Sequence, residues 1–223
     1  MKVRTDLVAG RNVILTGAYG IGRTSLLRHM ARSMARNWRF VFLDGSRTGG
    51  RVCVDLFAAL FPHASDGGPS TLPYRWARHR IVTRPPEDPR SHVLVLDDLA
   101  RVSAAKLDLV RRLVRAGRFR LVAVPEAFLP PAKLSRLQAA LQAGAPLRLR
   151  PLRLDDAEQF FREGAWTLET TWSRARIHGL AVASRGFPLG MKQLLVSELN
   201  GREHGLNPHV DGDLDESRKE VTP

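Results

Sequence analysis

Gly17-Ala-Tyr-Gly-Ile-Gly22-Arg23-Thr24 decides the fold. Before it runs Asn12-Val-Ile-Leu-Thr16, a short apolar stretch of the kind buried on both faces of a parallel sheet. After it Leu26, Leu27, Met30 and Met34 recur at helical spacing, with Arg28, Arg32 and Arg36 on the other faces. A glycine-rich turn between strand and helix lets backbone N–H groups curl around an anion, and the helix adds the positive end of its dipole. Gly17, Gly20 and Gly22 supply that turn, Thr24 and Ser25 open the helix, and the Thr24 hydroxyl is of the kind that reaches a divalent cation. The spacing is G-x-x-x-x-G-K-[ST] in every position but one, because Arg23 stands where the lysine belongs. Lysine is a compact point charge, whereas arginine is a planar fork that holds a phosphate through two bonds. Phosphate binding is therefore expected to survive the exchange better than phosphoryl transfer.

A second motif lies downstream. Val93-Leu-Val-Leu96 is a purely apolar strand that ends in Asp97 and Asp98. In a phosphate-binding context the first carboxylate orients Mg²⁺ and the next positions an attacking water. The site expected from the sequence thus has Gly17, Gly20, Gly22, Arg23, Thr24 and Ser25 around the phosphates of ATP. Thr24 and Asp97 serve Mg²⁺, and Asp98 and Arg23 are the catalytic pair. The rest of the chain fits around it. Arg39–Asp44, Phe119–Val124 and Leu147–Arg150 read as strands, and Val52–Phe61, Tyr74–Val82, Ala104–Val114 and Leu134–Leu141 as helices, with loop from Pro62 to Pro73. Strands alternating with helices predict a three-layer α/β core over residues 1–150, with a mostly parallel five-stranded sheet. From Leu154 the strands stop. Helices over Asp155–Arg162, Ser173–Ala183 and Leu189–Leu199 predict a small all-α lid over 151–200, and the acidic residues 201–223 an unfolded tail.

Composition narrows the partners. The 223 residues are 43% hydrophobic, enough for a sizeable core, and 35 Lys+Arg against 22 Asp+Glu leave a net charge of +13. Such a field draws anions, and duplex DNA is the expected partner. Tyr74-Arg-Trp-Ala-Arg-His-Arg80 interleaves aromatics with bases and offers a stretch to lie along phosphates. Cys53 is the only cysteine, so an internal disulfide or a cysteine zinc site is excluded. Met1–Leu7 has no leader character and no apolar run approaches the ~20 residues of a membrane span, so a cytoplasmic protein is expected.

The order Gly17–Thr24, Val93–Asp98, Pro151-Leu152 and Gly186-Phe-Pro-Leu189 resembles the AAA+/STAND lineage of P-loop ATPases. It is similar to transposition helpers and origin-recognition-like ATPases, and the stretch Leu152–Phe161 with Gly186–Leu189 resembles an NB-ARC lid. The resemblance implies that Pro188 packs near the adenine, that subunits assemble on binding ATP, and that a separate protein partner can read the state. It also marks departures. Val124-Pro125 stands where a polar sensor is usual, and Leu189 where many lids carry an arginine, with Arg185 or Lys192 as substitutes. Arg136 or Arg148 is the candidate finger toward a neighbouring subunit. With Arg23, these departures imply hydrolysis that is slow, partner-dependent or absent. Two other readings stay open: a STAND-type signalling switch acting through another chain, and a P-loop scaffold without hydrolysis.

Overall fold

The computed structural model describes residues 2–64, 73–167 and 170–203, the last three for their backbone only. The chain divides into two compact units, one ending at Pro151 and one beginning at Leu152. In the first, α1 (Lys2–Val8) precedes β1 (Val13–Thr16), α2 (Arg23–Ser33) and β2 (Trp38–Asp44). Then come α3 (Gly49–Leu60), a 3-10 turn at Pro62–Ala64, α4 (Tyr74–Thr83), β3 (Ser91–Leu99) and α5 (Ala104–Ala116). β4 (Phe119–Pro125), α6 (Pro131–Leu141) and the two-residue β5 (Leu147–Arg148) complete it.

The strands lie in the order β2-β3-β4-β1-β5, and every pairing is parallel. Side chains alternate across a strand, so each central strand feeds two cores. Leu94 and Leu96 of β3 join Ile14, Leu121 and Ala123 beneath Leu56, Phe57 and Leu60 of α3 and the apolar faces of α5 and α6. Val93 and Val95 point the other way, with Leu15 and Val122, toward Val3 and Leu7 of α1 and Leu27 and Met30 of α2. The three layers follow from this two-sided burial. Cys53 sits fully buried in α3, and that burial pushes its thiol up to about 12, so it packs as a small hydrophobe.

Local signals stop and start the elements. The Thr48 and Ser103 side chains accept the N–H groups of Arg51 and Lys106 and so cap α3 and α5. Helix α1 lies where the sequence reads only as polar and charged; Val3 and Leu7, four residues apart, are buried. β5 ends at Arg148 rather than Arg150, and β3 continues past Asp98 to Leu99.

The second unit holds α7 (Leu154–Thr167), α8 (Arg174–Ser184) and α9 (Pro188–Glu203), packed about Ala157, Phe161, Leu180, Ala181 and Met191. Gly186 has φ +70, and its carbonyl accepts the Leu152 N–H at 2.9 Å. A Cβ there would collide with the Leu152 carbonyl oxygen, so the Gly186 turn tolerates no side chain. Pro188 follows as the first residue of α9, where its missing N–H costs nothing. The tail expected from 201 lies, from 204 onward, outside the described residues; α9 runs to Glu203. Among the described residues no helix is long and apolar enough to cross a membrane.

Candidate functional site

Strand β1 stops at Thr16 because glycines follow it. Gly20 and Gly22 turn the chain through positive φ, +77 and +86, and Gly22 is the N-cap from which α2 starts at Arg23. Ile21 between them is buried and anchors the loop from below, while Tyr19 at its crest is 79% exposed. The first turn of α2 presents Thr24 inward and Ser25 to solvent. The fold thus sets the loop and its helix N-terminus at the C-terminal edge of a parallel sheet, where open α/β sheets bind ligands.

The acidic strand end meets this loop directly. Thr24 Oγ1 donates to Asp97 Oδ2 at 2.9 Å, and the Asp98 N–H donates to Asp97 Oδ1 at 3.1 Å. β3 shifts register between Leu96 and Leu99, and Asp98 takes φ 51 there, so its side chain leaves the sheet and stands exposed. Burial of its surroundings first, then the carboxylates of Asp97, Glu126 and Asp44, push the Asp98 carboxyl above its ordinary range, with Arg23 pulling the other way. The Thr24 hydroxyl and Asp97 carboxylate, held together, are the one-hydroxyl, one-carboxylate donor set that suits Mg²⁺ carried in with phosphates. Among the described residues no group of three or more His, Cys, Asp or Glu is arranged to hold a metal by itself.

Arg23 does something the sequence did not foretell. Its side chain is 8% exposed and lies against the end of β4, with Nη1 donating to the Pro125 carbonyl at 2.6 Å and Nη2 to Glu126 Oε1 at 3.1 Å. Glu126 has no signal in the sequence pattern: the strand reads as ending at Val124-Pro125, and the polar residue at this strand end is one position later. Lys106 has none either. Its buried ammonium donates to the Gly45 carbonyl at 2.5 Å and the Arg101 carbonyl at 2.8 Å, tying the loop after β2 to the loop after β3. The Gly45 N–H in turn donates to the Asp97 carbonyl at 2.6 Å, so Lys106 steadies the backbone that carries Asp97. A groove of about 410 Å³ opens beside the loop, bordered by Gly17, Ala18, Glu126, Leu134 and Arg148.

The basic segment is less free than expected. In α4, Arg78 pairs with Asp108 at 3.3 Å and lies over the Tyr74 ring, and Arg80 lies over Trp76, whose edge packs on Phe57. Arg75 is exposed. Pro188 belongs to the second unit, where it opens α9.

No family model matches the sequence, and no curated protein does either. Solved structures do. Cdc6p from Pyrobaculum aerophilum superposes with TM-score 0.64 at 18% identity, over 87% of this chain and 56% of that one. The Aeropyrum pernix Orc1 protein, solved in complex with DNA, gives 0.61 at 18%, over 91% and 59%. The Thermotoga maritima RuvB Holliday junction branch migration motor gives 0.57 at 18%, over 91% and 62%. The chain spans about three fifths of the length of these proteins. The five-stranded parallel sheet with helices on both faces gives this chain the AAA+ P-loop fold of these structures.

Proposed function

We propose that this chain binds ATP with Mg²⁺ and works as a nucleotide-dependent, oligomeric switch on duplex DNA, in the manner of a transposition or replication helper, with slow hydrolysis. The observation that carries the reading is the 2.9 Å bond between Thr24 and Asp97, which joins the phosphate loop to the acidic strand end. Gly17, Gly20 and Gly22 give the loop the curvature that turns backbone N–H groups toward phosphates, and Ser25 borders it in the first turn of α2. Thr24 and Asp97 are the metal-facing pair. Mg²⁺, when bound, offsets phosphate charge at this edge. Asp98 orients water at the terminal phosphate, and its raised pKa makes it a reluctant anion. Pro188 is assigned to the adenine on the lid resemblance alone.

The DNA arm rests on net charge and on the fold shared with Orc1, which was solved on DNA. Arginines of α4 engaged with Asp108 and Trp76 add less to it than their number suggests. A protein partner that reads the nucleotide state fits the same switch.

Calorimetry on Thr24→Ala and Asp97→Ala tests the site. Both should weaken Mg·ATP by about tenfold or more while changing Mg-free ATP little, since losing even a residue that only supports a metal ligand costs about 10- to 100-fold. Unchanged Mg·ATP affinity in both variants refutes the assignment. Fluorescence anisotropy with duplex DNA, with and without ATP at several salt concentrations, tests the switch. Binding should strengthen with ATP, and its logarithm should fall linearly with log salt. No binding at low salt with ATP present refutes the DNA reading.

A further inference from the structure

Arg23 stands where a P-loop places the cation that meets the terminal phosphates, yet its guanidinium is already bound to an anion of the chain itself. Nη2 is 3.1 Å from Glu126 Oε1, Nη1 is 2.6 Å from the Pro125 carbonyl, and the two side chains are only 8% and 17% exposed. The pair is fixed from both ends. Arg23 is the first residue of α2, and the Glu126 N–H donates to the Leu99 carbonyl at 3.2 Å, continuing the β3–β4 ladder by one residue. Glu126 also closes the turn that follows: its carbonyl accepts the Leu129 N–H at 3.0 Å, and Phe128 in that turn is 70% exposed. Around this pair the strand ends place Asp98 within electrostatic reach of Asp97, Glu126, Asp44 and Arg23 itself. A phosphate approaching Arg23 therefore meets a guanidinium already engaged through both terminal nitrogens and a carboxylate that repels it.

We infer that Glu126 is a built-in competitor for the phosphates: filling the loop exchanges one anion for another on Arg23 and releases the turn after β4. This deepens the nucleotide-binding reading and rests on it. The exchange moves no covalent bond. The guanidinium has five donors in one plane, so it can pass from carboxylate to phosphate without losing its charge partner. The freed Glu126 then stands in the groove beside Gly17 and Arg148, and the Glu126–Pro130 segment with its exposed Phe128 reports occupancy of the loop.

Titration calorimetry with Mg·ATP on the full chain tests the inference. Glu126→Gln should tighten binding about tenfold, the factor that 1.4 kcal/mol represents. Glu126→Asp, which keeps the charge but draws it back by one methylene, should tighten it less. In an Arg23→Ala background the Glu126→Gln change should matter less than about twofold, because the exchange has lost its centre. Circular dichroism melts verify folding, and hydrogen exchange on the wild type gives a readout that needs no variant: the Leu129 amide should exchange faster with Mg·ATP bound. Equal affinities for wild type and Glu126→Gln, an undiminished effect without Arg23, or an unchanged Leu129 amide overturns the inference while leaving nucleotide binding intact. If neither wild type nor Glu126→Gln binds nucleotide, both fall together.

Discussion

Lys106→Met isolates what one buried ammonium contributes to this edge of the sheet. Lys106 is 8% exposed and donates to the Gly45 and Arg101 carbonyls. Methionine keeps most of the aliphatic stem, so packing is largely retained and the two donors are lost. An unpaired buried acceptor costs about 1–3 kcal/mol. The Gly45 bond is buried and the Arg101 bond partly so, which puts the loss near 2 and 1 kcal/mol, about 3 in all. At about 2–4 °C per kcal/mol for a chain of this size, the melting temperature should fall by roughly 6–12 °C. The pH dependence carries a sign. Burial lowers the Lys106 pKa in the folded protein, helped by Arg101 and opposed by Asp44. Between that lowered value and the ordinary lysine value the unfolded chain binds the extra proton, so wild-type stability rises with pH through the window, and Lys106→Met lacks the rise. Urea melts from neutral to alkaline pH measure both effects. A loss below about 0.5 kcal/mol, within the range of an inert surface change, or a gap that narrows as pH rises, refutes the reasoning.

Three further outcomes follow from named geometry. Asp98→Asn removes a carboxylate held above its ordinary pKa while keeping a residue type tolerant of φ 51, so it should melt higher than wild type at neutral pH. That gain should shrink as pH falls through the raised pKa, where the wild type binds the proton that relieves it. Gly186→Val drives a Cβ against the Leu152 carbonyl at positive φ and should destabilise the second unit by about 3 kcal/mol, read as faster hydrogen exchange across α7, α8 and α9. Arg23→Lys replaces a fork bonded to Pro125 and Glu126 with one ammonium; Mg·ATP binding should persist and ATP turnover should rise in a coupled phosphate-release assay.

What the sequence disclosed, and what it withheld, divides by the range of the interaction. Strand β3 and the loop at Gly17–Gly22 were legible because their causes are local: an unbroken apolar run for a strand buried on two faces, and glycines where φ must be positive. The end of β5 was misjudged because Leu149 and Arg150 look like strand by composition, whereas the ladder to β1 pairs only Leu147 and Arg148. Helix α1 carries two buried residues among polar ones, too thin a stripe to stand out before its partner layer is known. Glu126 and Lys106 were illegible for a different reason. Their partners, Arg23 and the Gly45 carbonyl, lie 103 and 61 residues away, and a carbonyl has no sequence signature. The arginines of Tyr74–Arg80 advertised a phosphate track, and Asp108 and Trp76 had already claimed two of them.

The same long-range contacts separate two electrostatic tasks within one basic chain. The body is strongly positive, yet the strand ends of β2, β3 and β4 bring Asp44, Asp97, Asp98 and Glu126 to one edge, with Arg23 paired among them. If the loop holds Mg·ATP as proposed, polyanions without a metal would be repelled from that edge by its carboxylates, whereas a nucleotide arriving with Mg²⁺ would bring the cation for Thr24 and Asp97 to share. Under the proposed function, DNA phosphates are thereby steered to the remaining basic surface, and the loop is reserved for the small metal-bound anion. Raising Mg²⁺ should then strengthen nucleotide binding while weakening DNA binding by screening, opposite trends that a single acidic or a single basic surface would not give.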